Sequence, residues 1–63
     1  MYKKSDIRSI GELHTFNGGR KLTPVFKGYI MPIFVNVTKE EFEEVRGNVE
    51  KMKDLAIEKL NAL

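Results

Sequence analysis

The C-terminal part of this chain admits one kind of secondary structure. Apolar residues recur at Phe42, Val45, Val49, Met52, Ala56, Leu60 and Leu63, in steps of three or four. That spacing is a stripe down one side of an α-helix. Leu55 and Ile57 widen it. The start is also marked. Thr38 is followed three residues later by Glu41, the spacing of a capping box, in which the threonine oxygen accepts from the Glu41 amide and the carboxylate reaches back. Val37 and Phe42 flank the cap at the spacing of a hydrophobic staple. Glu40, Glu41, Glu43 and Glu44 come early and Lys51, Lys53 and Lys59 late, which suits the helix dipole. The pattern predicts a single helix over about 39–61. Gly47 falls inside it at a cost of about 1 kcal/mol relative to alanine, and allows either close packing or a bend. Phe42 to Ala56 follows a heptad seam for about two repeats, short of a coiled coil, so the stripe is expected to pack on a sheet of the same chain.

Residues 1–37 read as strands. Asn17-Gly18-Gly19 is a strong turn, because glycine takes positive φ freely and asparagine tolerates it. Before it, Ile10 to Phe16 reads as a strand. Ile7, Ile10, Leu13 and Phe16 recur every three residues, however, so a helical turn starting near Ser5 is the alternative. After the turn, Leu22 to Phe26 and Tyr29 to Val37 read as strand segments, with Lys27-Gly28 a kink or turn between them. Pro24 and Pro32 cannot donate to a ladder and are expected at edges or bulges. The fold class expected is α+β: a single domain with a small antiparallel β-sheet, strand-rich over 1–37, packed against one long C-terminal helix over 38–62.

Size adds a constraint. A chain of 63 residues buries only about 60% of its unfolded surface. Without cysteine it has no disulfide and no thiolate zinc site. Small domains without such staples often enlarge their core by oligomerising, so a homodimer is expected. The strand Tyr29 to Val35 strengthens that expectation. Ile30, Met31, Ile33, Phe34 and Val35 put large apolar groups on both faces, and one helix covers only one face. The other face calls for residues 1–16, a second copy or a partner protein.

Charge is unevenly spread. Lys3, Lys4, Arg8, Arg20, Lys21 and Lys27 against Asp6 and Glu12 give residues 1–37 a net +4, while 38–63 carry −2. Arg20, Lys21, Lys27 and Tyr29 form a candidate binding surface, able to grip phosphates or stack a base. Lysines on an edge strand also discourage sheet-to-sheet aggregation. His14 is the only histidine and has no cysteine to activate, so no catalytic residue is assigned. The four early glutamates fan around their helix rather than converge, and the dipole accounts for them; no metal site or cofactor is assigned. The longest apolar run, Tyr29 to Val35, is broken by Pro32 and falls far short of the roughly 20 residues that span a membrane. No membrane partner is expected, and a cytoplasmic location is.

The stretch His14 to Phe34 resembles part of the third, C-terminal β-barrel domain of elongation factor Tu. The residues that carry the likeness are Gly18-Gly19-Arg20, Thr23-Pro24, Phe26, Gly28-Tyr29, Pro32 and Phe34. The order matches that family; the spacing has one extra residue between Arg20 and Thr23 and another between Tyr29 and Pro32. In that family this surface helps hold the T-stem of aminoacyl-tRNA and meets protein partners. Ile30 and Ile33 stand where the family has arginine and glutamine, which leaves Arg20 as the residue the resemblance offers to a phosphate. The family's barrel continues with more strands, whereas a helix follows here. The chain is therefore expected to be a small non-enzymatic protein-interaction module, a regulator or inhibitor acting as a homodimer. Arg20, Lys21, Lys27, Tyr29, Met31, Ile33 and Phe34 are the expected contact residues. The alternative is an RNA-binding or translation-associated module.

Overall fold

The computed structural model describes residues 1–62. The chain runs through a short 3-10 turn (Lys4–Asp6), strand β1 (Ile7–His14), strand β2 (Arg20–Phe26), strand β3 (Val35–Val37), helix α1 (Lys39–Val45) and helix α2 (Val49–Asn61). The strands form an antiparallel sheet in the order β1-β2-β3. The α+β class is as the patterning predicts. Ile7, Leu22, Phe26, Val35 and Val37 from the sheet meet Phe42, Val45, Met52, Leu55, Ala56 and Leu60 from the helices in one core. Leu63, the last residue of the predicted stripe, lies outside the described residues.

The single long helix is corrected to two. The α1 helix closes with the Arg46 N–H donating to the Phe42 carbonyl at 2.9 Å and the Asn48 N–H to that of Val45 at 3.0 Å. Between them Gly47 sits at φ 77°, the left-handed position just past a helix end that glycine fills without strain. The Asn48 side chain then accepts from the Lys51 N–H at 3.1 Å and caps α2. Glycine after one helix and asparagine before the next are stop and start signals. They override the continuous stripe and rotate Val49 out of it, to 53% exposure.

In β1 both local signals are realised, one after the other. A 3-10 turn precedes the strand, which starts at Ile7. A bulge between Ile7 and Ser9 inserts one residue, so Ile7 and Ile10, three apart, both reach the core. Leu13 and Phe16 do not. Leu13 is exposed on the strand, and Phe16 stands fully in solvent in the turn.

The strand expected from Tyr29 to Val37 is cut to Val35–Val37, and Pro24 supplies the reason. Pro24 lies within the central strand and is fully buried. The β2–β3 register pairs Arg20 with Val37 and Leu22 with Val35, so continued pairing sets Pro24 opposite Ile33. Half of that pair is made: the Ile33 N–H donates to the Pro24 carbonyl at 3.0 Å. The reciprocal bond needs an N–H that proline lacks. The ladder stops there. Residues 27–34 peel away as a loop opened by a turn in which Gly28 takes φ 86° and the Tyr29 N–H donates to Phe26 at 3.0 Å.

The capping box at Thr38 forms in full, with the Glu41 N–H donating to Thr38 Oγ1 at 3.0 Å and the Thr38 N–H to Glu41 Oε1 at 2.8 Å. Replacing Thr38 with alanine is expected to cost about 1 kcal/mol, read as a lower urea midpoint at unchanged slope. The other Glu41 oxygen meets Lys59 Nζ at 2.6 Å, tying α1 to α2. The Lys59 ammonium first, and then the Thr38 N–H, holds the Glu41 carboxyl below its ordinary 4.5. Lys4, which bridges Glu50 and Asp54 at 3.0 and 2.9 Å, likewise lowers Glu50. A depressed carboxyl contributes stability above its unfolded pKa and loses it as pH falls through the folded one. The melting temperature should therefore begin to drop below about pH 4.5. Glu41→Gln should flatten part of that drop, and added salt should shrink it, since both pairs lie at the surface, Glu41–Lys59 about one-third exposed.

Candidate functional site

Early termination of β3 leaves the most apolar stretch of the chain outside the sheet. Ile30 is 92% exposed and Met31 69%, with Tyr29 and Phe34 each more than half exposed. Ile33 alone turns inward and packs against the core. The excess of apolar side chains in this stretch is therefore not on the two faces of a strand, as the sequence suggested. It is a loop held at both ends, by the Tyr29–Phe26 turn bond and the Ile33–Pro24 bond.

The loop begins beside a second exposed segment. Tyr2 is fastened to the end of α2 by two hydrogen bonds, its N–H donating to Asn61 Oδ1 and Asn61 Nδ2 donating to its carbonyl, both at 3.0 Å. The Tyr2 ring lies 5.2 Å from that of Phe26, tilted by 49°. The Lys27 N–H donates to the Asp6 carbonyl at 2.8 Å. These ties shape a cleft of about 500 Å³ lined by Met1, Tyr2, Lys3, Asp6, Phe26, Lys27 and Tyr29. Three of these residues are aromatic, and among the described residues neither lysine is paired with a carboxylate.

The expected contact residues do not form one surface. Arg20 and Lys21 start β2, whereas Lys27 and Tyr29 follow its end, about 20 Å away at about 3.3 Å per residue. Lys21 points to the sheet face away from the helices and hydrogen-bonds Asn36 Oδ1. Arg20 points to the helix side. Its Nη1 donates to the carbonyls of Gly18 and Gly19 at 2.8 and 3.1 Å, and its guanidinium lies 5.7 Å over the Phe42 ring. That places the Arg20 side chain as a brace between the β1–β2 turn and α1. Phe34 borders a smaller cleft with Val35, Asn36, Lys59 and Leu60. His14 packs edge-on against Phe42, the ring centroids 5.2 Å apart, with Glu12 Oε1 at 3.8 Å from Nε2.

Two exposed aromatic residues, at opposite ends of the hairpin, are not placed by the sequence pattern. Tyr2 lies in a segment with no periodic pattern, and only its distant partner Asn61 gives it a place. Phe16 directly precedes Asn17-Gly18-Gly19, and that adjacency was the available sign of a residue in the turn rather than in the strand. No helix among the described residues is long and apolar enough to cross a membrane. Comparison with family models, with curated proteins and with solved structures returned no significant match.

Proposed function

We propose that this chain is a small non-enzymatic protein-interaction module of the cytoplasm, a regulator or inhibitor that engages its partner through the loop Tyr29–Phe34. The supporting observation is that Ile30 is almost fully exposed, and Met31 about two-thirds exposed, on a loop anchored at both ends. Exposed aliphatic groups on a tethered loop bring apolar area to a contact at low ordering cost. Tyrosine and methionine beside them are types enriched at interfaces.

A photo-crosslinker at position 30, with one at Glu44 on α1 as control, tests the proposal in extract of the source cells. A discrete partner should crosslink from position 30 only. Purified, that partner should bind the chain and lose binding to the Ile30→Ser, Met31→Ser double variant. The same double variant should keep its stability within about 0.5 kcal/mol, because both side chains are in solvent. Equal crosslinking from both positions, or retained binding by the variant, would overturn the proposal. A second copy of this chain is one partner the loop suits. Sedimentation across concentration reads it directly: a dimer should revert to monomer in the double variant.

A further inference from the structure

We infer that the loop's partner presents an acidic segment with apolar anchors, which seats in the cleft between Tyr2, Phe26 and Tyr29 and meets Lys3 and Lys27 at its rim. This deepens the interaction reading and rests on it. Three features of the cleft converge. Three of its seven lining residues are aromatic, and the backbone of one, Tyr2, is tied to α2 by its pair of bonds to Asn61 while its ring packs on Phe26. Both rim lysines are exposed and unpaired among the described residues, while the neighbouring Lys4 is already taken by Glu50 and Asp54. Tyr29, which lines the cleft, is followed directly in the chain by the exposed Ile30 and Met31.

Charge complementarity at a rim steers encounter and selects partners of opposite sign. The Tyr2 and Tyr29 rings, with Ile30 and Met31 beside them in the chain, supply the apolar contact. Asp6 lines the same cleft and offsets one of the two lysine charges, so the cleft is not a continuous basic groove. Ile30 and Met31 offer aliphatic rather than stacking surface. Both features favour a peptide over a nucleic-acid strand, which wants a continuous basic groove.

The test is selection of a random-peptide library on phage against the full chain, followed by binding of the synthesised winner by fluorescence anisotropy. Winners should carry Asp or Glu beside Leu, Phe or Met. Binding should fall about tenfold in the Lys3→Glu, Lys27→Glu double variant and weaken with salt. Neither lysine makes an ion pair among the described residues, so that variant should fold normally, as its melting curve will show. Failure to enrich any peptide, or enrichment of basic or uncharged ones, overturns the inference. So does tighter binding of oligouridine that displaces the winner. A winner indifferent to Lys3→Glu, Lys27→Glu but lost in Ile30→Ser, Met31→Ser removes the acidic partner and leaves the interaction module standing. A winner indifferent to both variants removes both.

Discussion

Phe42→Ala should take about 3–5 kcal/mol from the fold. At about 0.05–0.15 kcal/mol per residue, the whole stability of a chain this size is about 3–9 kcal/mol, so much of it goes with one ring. Phe42 is 1% exposed and is among the largest fully buried side chains. It does more than fill volume. The Arg20 guanidinium lies over its face, and the His14 ring meets it edge-on. The ring thus joins the first helix to both strands that flank the hairpin turn. Alanine would leave a cavity that two polar side chains line, and Arg20 Nε is already buried without a partner. Urea denaturation followed by circular dichroism reads the effect as a large drop in midpoint. Phe42→Leu, which keeps most of the apolar volume, should recover a substantial share. A melting curve for Phe42→Ala within a degree of the parent would mean that the core does not centre on this residue.

Gly47→Val should be the next most costly change, at about 1–3 kcal/mol. No neighbouring atom lies within 4 Å of the position a Cβ would take, so the cost is not crowding. It lies in the backbone: Gly47 is at φ 77°, where a β-branched residue is strained. Gly47→Ala separates two outcomes. If the break between helices is held by the core, alanine costs about 1 kcal/mol through the same φ. If the break exists only because glycine permits it, alanine lets one continuous helix form and helical signal rises at little cost. The burial of Phe42 and Val45 on one side of Gly47 and of Met52, Leu55 and Ala56 on the other requires the two segments to reach the sheet separately, and predicts the first outcome. The position of Val49, turned outward despite its place in the apolar stripe, follows from the same break.

The path from proline to exposed apolar loop is the least obvious part of this molecule. Pro24 is in the central strand, yet it breaks no bond to β1. In an antiparallel strand a residue's N–H and C=O point to the same side, and the Pro24 carbonyl faces Ile33. The missing donor therefore falls where β3 would have continued. One absent N–H ends the third strand, frees residues 29–31 from the sheet and leaves Ile30 and Met31 in solvent. A loop so formed has fixed ends and an apolar centre, which suits recognition better than a mobile tail would.

Sequence alone determined the features that depend on neighbours a few residues apart. The Thr38–Glu41 cap, the buried face of the helices at Phe42, Met52 and Leu60, the turn at Asn17-Gly18-Gly19 and the α+β class all follow from local hydrogen bonding and from periods of two and 3.6. Tertiary structure decided whatever depends on a distant partner. The length of the third strand hangs on which residue of β2 faces Ile33, and the cleft exists because Asn61 holds Tyr2. The Arg20 guanidinium is held over Phe42, on the first helix. Such pairings are separated by nine to 59 positions in the chain, and no local pattern records them.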